Sequence, residues 1–157
     1  MEANLAELSK FQISNFFKKN APATQQQCDL QAELITGTSV YTTCLQGGDS
    51  YTVVSSDKTC VVQFRAGYSA LAIDFLGCIE QAYDGFTPRH QFVDNVGQLH
   101  VYTMNNVGGV SMYLARDKLN QNNFSLLKYI VKGFARYVDT NVPYVPSAHV
   151  KENVQLT

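Results

Sequence analysis

The chain of 157 residues is nearly neutral, with 12 Lys and Arg against 13 Asp and Glu and a net charge of -1. Its length predicts a single domain, and the balanced charge excludes the broad basic surface with which many proteins bind nucleic acid. Because 45% of the residues are hydrophobic and 11% are aromatic, intrinsic disorder is excluded as well.

Targeting features and cysteines indicate a cytoplasmic protein with no membrane partner and no metal site. No stretch approaches the ~20 apolar residues of a membrane-spanning helix, and the N-terminus has acidic residues first and lysines late, unlike a secretory signal. Cys28, Cys44, Cys60 and Cys78 are separated by 16, 16 and 18 residues, which matches no close pair of metal ligands. We therefore expect buried free thiols.

The first part of the chain predicts two helices. Apolar side chains in residues 5–17 recur at helical spacing, and Pro22 follows the end of that helix. A second helical pattern covers residues 28–35, with Asp29 as its candidate N-cap and Gly37 as its stop.

Strand-like runs fill the middle of the chain. They are rich in β-branched and aromatic residues and are separated by turn residues. A helical pattern at residues 68–83, closed by Gly85, interrupts them after the third run. The five strands are expected at residues 39–45, 50–55, 59–65, 90–94 and 98–103.

The last part of the chain predicts helices at residues 112–118 and 124–138, and the apolar stripe of the second is expected to pack in the core. Pro143 and Pro146 then end regular structure. The expected layout is one domain over residues 1–157, with an N-terminal helix and connection at 1–27, the main lobe and following helix at 28–138, and a tail at 139–157.

The order of the elements predicts an α+β fold. A doubly wound parallel sheet needs helices between most strands, and this chain has one central helix. The simplest arrangement is an antiparallel five-stranded sheet with a helix after the third strand and flanking helices.

Four segments resemble the aminoglycoside phosphotransferase and choline kinase-like family, especially its fungal members. Residues 45–53, with Gly47 and Gly48, resemble the family's phosphate loop, and residues 60–65, with the sequence CVVQFR, resemble its third strand. Residues 102–109 resemble the segment from strand to hinge, and residues 124–137 resemble the first long helix after the hinge. The resemblance covers roughly residues 29–137.

This resemblance implies the small lobe of a protein-kinase-like fold. In such a lobe, glycine N–H groups approach phosphate oxygens, and a third-strand lysine held by a helix glutamate neutralises the phosphates. Gln63 stands at the position of the lysine, and Asp74 is the match to the glutamate. The resemblance therefore allows a hydrogen-bonded pair between these two side chains, but not an ion pair.

The family's large lobe carries an H-G-D catalytic loop, and no H-G-D occurs in the 157 residues, of which 20 follow Tyr137. We therefore expect a truncated, pseudokinase-like protein that transfers no phosphoryl group by itself. No cofactor is predicted, with ATP as the candidate nucleotide if one binds.

Three hypotheses about function follow. In the first, the cleft left open by the missing lobe binds a small molecule or a partner protein. In the second, the cleft belongs to an enzyme of another class, such as an isomerase or cyclase acting on an apolar metabolite. In the third, the chain is a subunit that completes its site by forming a homodimer.

Alternation along the strands assigns candidate site residues. If Gln63 faces the cleft, Arg65 shares its face, and His100 shares a face with Tyr102 and Met104. Structural alternatives stay open: a plain hairpin turn for the glycines, a packing role for His100 and a helix-to-sheet contact for Asp74. The catalytic candidates are Arg65, Asp74 and His100, and the ligand-binding candidates are Gly47, Gly48, Ser50, Gln63 and Met104.

Overall fold

The computed structural model describes residues 2–110 and 112–141, which belong to two units, Met1–Gly108 and Gly109–Thr157. The five strands lie in the first unit, and the expected antiparallel sheet with a helix after the third strand is confirmed. The helices are α1 (Glu2–Lys19), α2 (Gln25–Thr36), α3 (Ile73–Ala82), α4 (Met112–Leu119) and α5 (Ser125–Asn141). The strands are β1 (Val40–Thr42), β2 (Ser50–Ser55), β3 (Cys60–Ala66), β4 (His90–Val96) and β5 (Leu99–Asn105).

The sheet has the strand order β1-β2-β3-β5-β4, and all neighbouring strands are antiparallel. The β4–β5 hairpin places β5 beside β3, so that the last strand lies inside the sheet and β4 forms an edge. Gly97 begins the two-residue turn of this hairpin with a φ of 59°, a conformation that favours glycine.

The core lies on one face of the sheet, against α1 and α2. Because side chains alternate along a strand, every second residue of each strand points to this face. Phe17 joins helix to sheet, since its ring lies 5.0 Å from the ring of Tyr51 in an edge-to-face contact. The core consists of Phe16, Ala23, Cys28 and Ala32 from the helical segment and Tyr51, Val53, Val62, Phe64, Leu99 and Val101 from the sheet.

Helix α2 starts earlier than predicted, and its N-cap is Thr24, so the assignment of Asp29 as the cap is wrong. The Thr24 hydroxyl accepts a hydrogen bond from the N–H of Gln27 at 3.2 Å, and the Gln27 side chain accepts from the N–H of Thr24 at 3.0 Å. Asp29 instead accepts a hydrogen bond from the hydroxyl of buried Tyr51 at 2.7 Å. The predicted stop at Gly37 is confirmed by its left-handed φ of 69°.

Helix α3 is shorter than the pattern at residues 68–83 predicts. A 3-10 turn (Gly67–Ser69) comes first, and the backbone at Ala70 is extended before the helix begins at Ile73. The Ser69 hydroxyl, which donates to the carbonyls of Ala66 and Asp49 at 3.0 Å each, holds this turn against the ends of β3 and the loop before β2.

The second unit contains α4, a 3-10 turn (Asn122–Phe124) and α5. The apolar stripe of α5 is present, but its expected burial is wrong in the residues described: Ile130, Val131 and Phe134 are each about half exposed. Helix α4, which contacts α5, has only eight residues and is too short to cover the stripe. Pro143, Pro146 and the predicted tail from residue 142 onward lie outside the described residues.

All four cysteines are free thiols, as predicted. Cys28 is buried, and burial raises the pKa of its thiol to about 12. The expected burial is wrong for Cys44 and Cys78, which are exposed. Among the described helices, none combines the length and the apolar character that crossing a bilayer requires.

Candidate functional site

The face of the sheet opposite the core, called the open face below, carries the predicted strand residues of the site. Gln63 lies directly opposite Tyr102 in the register of β3 with β5, Arg65 opposite His100, and Val61 opposite Met104. The prediction that these side chains share a face is therefore confirmed. The open face includes Ser50, Thr52, Val54, Val61, Gln63, Arg65, Phe92, His100, Tyr102 and Met104.

Hydrogen bonds join three side chains of the open face into a polar row across β2 and β3. Gln63 Nε2 donates to Thr52 Oγ1 at 3.1 Å, and Gln63 Oε1 accepts from Arg65 Nη1 at 2.9 Å. Arg65 Nε donates to the Ser69 carbonyl at 2.5 Å. The row is thus ordered, and it is tied to the 3-10 turn that precedes α3.

Asp74 is not part of this row. It is exposed in the first turn of α3, and in the described part of the chain it makes no hydrogen bond to Gln63 or Arg65. The expected pair between Asp74 and Gln63 is therefore wrong: the partners of Gln63 are Thr52 and Arg65.

Glu80, and not Asp74, is the acidic residue that ties α3 to the sheet. Its Oε1 accepts a hydrogen bond from the His90 N–H at 2.6 Å and lies 2.9 Å from His90 Nδ1. The bond from the His90 N–H is the main reason that the pKa of the Glu80 carboxyl is lowered. Sequence reasoning missed this contact because Glu80 and His90 belong to different elements, and only the packing of α3 against β4 brings them together.

The glycine loop, residues 43–49, connects β1 to β2 and is closed by the side chain of Gln46. The Gln46 amide accepts from the Thr52 N–H at 3.0 Å and donates to the Thr52 carbonyl at 2.7 Å, in the manner of a neighbouring strand. Gly47 and Gly48 are exposed, and a Cβ at Gly47 would lie 3.1 Å from the hydroxyl of buried Ser50. This geometry suits both a plain turn and a loop whose N–H groups meet a ligand.

Asp49 ends the glycine loop and bonds to the 3-10 turn. Its Oδ1 accepts from the Tyr68 hydroxyl at 2.9 Å, and this bond raises the pKa of the Tyr68 phenol. Its carbonyl accepts from the Ser69 hydroxyl at 3.0 Å. The loop and the Arg65 side chain therefore meet at one residue, Ser69.

His100 and Tyr102 belong to an aromatic cluster on the open face. The ring of Phe92 lies 5.9 Å from that of His100 and 5.7 Å from that of Tyr102. Tyr102 is only 3% exposed, and its hydroxyl accepts from the Leu71 N–H at 3.1 Å, so the segment before α3 covers it. Half-buried His100 has its Nδ1 2.9 Å from Asn95 Oδ1. These rings pack together on the open face, and little of the Tyr102 side chain is exposed to a ligand.

A pocket of about 730 Å³ lies where β3 begins and β5 ends. Met104 is the predicted site residue that lines it, together with Cys60, Arg89 and His90, which sequence reasoning did not select. Arg89 and Asp84 form an exposed ion pair at its rim at 3.1 Å. Gln63 and Arg65 lie further along β3 and do not line this pocket, so Met104 is the point where the pocket and the open face meet.

In the described ranges, no three His, Cys, Asp or Glu side chains come close enough to hold a metal ion. Comparisons of the chain with models of protein families, with curated proteins and with solved structures find no match. The resemblance of its segments to a phosphotransferase family stays a prediction.

Proposed function

We propose that residues 1–108 form a kinase-like small lobe whose open face binds a nucleotide-like small molecule, without phosphoryl transfer by this chain alone. One observation carries this proposal. On the face of the sheet that α1 and α2 leave uncovered, an apolar row lies beside the hydrogen-bonded polar row of Thr52, Gln63 and Arg65.

The apolar row supplies a surface for a flat ring. Val54 lies opposite Val61, and Val61 lies opposite Met104, so the three side chains form a strip across β2, β3 and β5. All three are half-buried, and a ring laid on them would remove apolar surface from water. The polar row of Thr52, Gln63 and Arg65 runs beside this strip, where the polar part of a ligand would lie.

The residues at the open face favour binding over phosphoryl transfer. Gln63 is neutral and is held by Thr52 and Arg65, so it supplies no charge to a phosphate. Asp74 is exposed on α3 and makes no hydrogen bond to Gln63 in the described residues. Transfer requires groups that neutralise the developing charge and orient the attacking hydroxyl, and Gln63 provides neither.

The proposal is tested by titrating the isotope-labelled full chain with ATP and magnesium, and separately with adenosine, and following the backbone amide resonances. We expect shifts at Val54, Val61, Gln63 and Met104 and smaller changes on the core face. No release of ADP above the buffer rate is expected. Unchanged resonances at millimolar ATP and adenosine would overturn the proposal.

Two variants make the titration specific. V61E places a carboxylate in the middle of the apolar row and should abolish the shifts. L34E adds the same charge on α2, at a side chain that is 79% exposed, and should leave them unchanged. Sedimentation of the same samples tests homodimerisation: loss of the nucleotide response on dilution to monomer would favour a site completed by a second copy.

A further inference from the structure

Arg65 is the one Lys or Arg in the five strands, and it lies on the open face. Its side chain is half-buried, and it lies between Gln63 and the 3-10 turn. Charged side chains removed from water are normally paired with an opposite charge, because desolvation disfavours an isolated ion.

Among the described residues, no carboxylate forms an ion pair with Arg65. The ion pairs of Arg89 with Asp84 and of His90 with Glu80 do not include Arg65. The acceptors of its hydrogen bonds are the Ser69 carbonyl and the Gln63 amide oxygen, both uncharged. These two bonds fix the direction of the guanidinium through Nε and Nη1, and they leave most of its five N–H donors for another acceptor.

The fixed guanidinium lies beside groups that could complete an anion site. Ser50 is directly opposite Arg65 in the register of β2 with β3, beneath exposed Gly47. Ser69, which holds Arg65 Nε, also bonds to the backbone of Asp49 at the end of the glycine loop. An oxyanion at Arg65 would therefore be within the neighbourhood of the loop's N–H groups, with the Asp49 carboxylate as a nearby opposing charge.

We propose that Arg65 is the anchor of an oxyanion subsite on the open face, which takes a phosphate or carboxylate group of a small organic ligand. The subsite rests on the proposed function, because it binds the charged part of the same ligand whose flat ring lies on Val54, Val61 and Met104. Arg65 thus supplies the positive charge that Gln63, two residues earlier on the same face, does not.

The test uses the full chain, with inorganic pyrophosphate and succinate as separate probes, adenosine as a neutral probe and ATP as the combined one. Binding is followed through the Nε–H resonance of Arg65 and through dissociation constants. We expect pyrophosphate or succinate to shift this resonance. The probe that binds more tightly identifies phosphate or carboxylate as the preferred group. ATP should bind at least about tenfold more tightly than adenosine, as for a hydrogen-bonded charge pair.

Four variants separate the charge of Arg65 from its structural bonds. R65Q should lower the affinity for the anionic probes about tenfold or more and lower the affinity for adenosine by much less. R65K, which keeps the charge, should retain part of the affinity. K58Q removes one positive charge at the turn before β3, about 20 Å along the strand, and should have no effect. D49N removes the opposing carboxylate and should tighten binding of the anionic probes.

The outcomes distinguish the subsite from the proposed function. If adenosine binds but pyrophosphate and succinate do not, and R65Q matches the parent chain, the subsite is overturned and the function stands. If the anions bind at Arg65 and adenosine does not bind, the subsite stands and the nucleotide function fails. If R65Q loses its dispersed resonances and is therefore unfolded, R65K and D49N replace it in the test. If R65K, D49N and the parent chain then bind the anions with equal affinity, the subsite is overturned.

Discussion

The contact between Glu80 and His90 fixes one end of α3 to the first residue of β4. Both side chains are largely buried, with exposed fractions of 18% for Glu80 and 16% for His90. One carboxylate oxygen satisfies both the His90 N–H and its ring nitrogen, so a single residue replaces two bonds to water.

We predict that E80Q destabilises the protein by about 1 kcal/mol, because hydrogen bonds to a charged acceptor are stronger than those to a neutral amide. The loss should depend on pH. The folded pKa of Glu80 lies below its ordinary value of 4.5, so its stabilising effect is complete above that value and is lost as the pH falls through the lowered pKa. Urea unfolding of both chains at pH 6 and at successively lower pH measures the difference.

D84N is the matched control for this measurement. Asp84 also pairs with a basic side chain, Arg89, but the two are 72% and 75% exposed. Exposed pairs of this kind contribute little to stability, so D84N should unfold at nearly the same urea concentration as the parent chain. An E80Q difference that stays constant from pH 6 to pH 3 would contradict the role assigned to Glu80.

At the scale of elements, the start of α2 depends on a reciprocal pair of bonds between Thr24 and Gln27. They satisfy N–H groups that a helix end otherwise leaves without partners. Because Cys28 and Ala32 of α2 pack in the core, fraying at this end would expose core surface.

T24A should therefore destabilise the protein by about 1 kcal/mol, the usual effect of removing an N-cap hydroxyl. Gln26→Ala is the control: Gln26 is exposed in the same turn, and alanine has the higher helix propensity, so no loss is expected. Equal midpoints of chemical unfolding for T24A and the parent chain would show that another group caps the helix.

The sheet and the open face could be predicted because period-two alternation fixes which side chains share a face. β2 begins and ends where the sequence predicts, and Gln63, Arg65, His100 and Met104 lie together as expected. The partners of these residues could not be predicted in the same way. The partners of Gln63 could not be predicted because the helical pattern at residues 68–83 gives no sign of the 3-10 turn and extended backbone that delay the start of α3 to Ile73.

The cap of α2 was missed for a local reason. Thr24 precedes three glutamines that carry no apolar periodicity, so the hydrophobic pattern begins only at Cys28. The capping box was nevertheless present in the sequence, as Thr24 followed three residues later by Gln27. Asp29, which looked like the cap, has the separate role of accepting the Tyr51 hydroxyl bond from within the helix.

At the scale of the whole molecule, the main cluster of buried apolar side chains belongs to the first unit. Leu119 of α4, in the second unit, is buried but is not part of this cluster. The most buried members of the cluster run from Phe16 to Val101, and the partly buried side chains that pack on them also lie before residue 108. Helices α4 and α5 contribute none of these core side chains in the described residues.

A chain of residues 1–108 should therefore fold by itself. We expect a cooperative thermal transition and amide resonances in β2, β3 and β5 close to those of the full chain. The control is a chain ending at residue 98, which lacks β5 and the buried residues Leu99 and Val101, and it should not fold. A broad, non-cooperative transition for residues 1–108 would mean that the second unit is needed to complete the core.

The side chain of Gln46 has a consequence for how this chain could change over evolution. It binds both the N–H and the carbonyl of Thr52 and so closes the β1–β2 ladder ahead of Gly47 and Gly48. Residues inserted between Gln46 and Ser50 would lengthen the loop without breaking a strand pair, and the entropic cost of closing a longer loop rises only slowly. The segment nearest Arg65 is therefore the one most free to vary in length, so related chains could fit ligands of different size on an unchanged sheet.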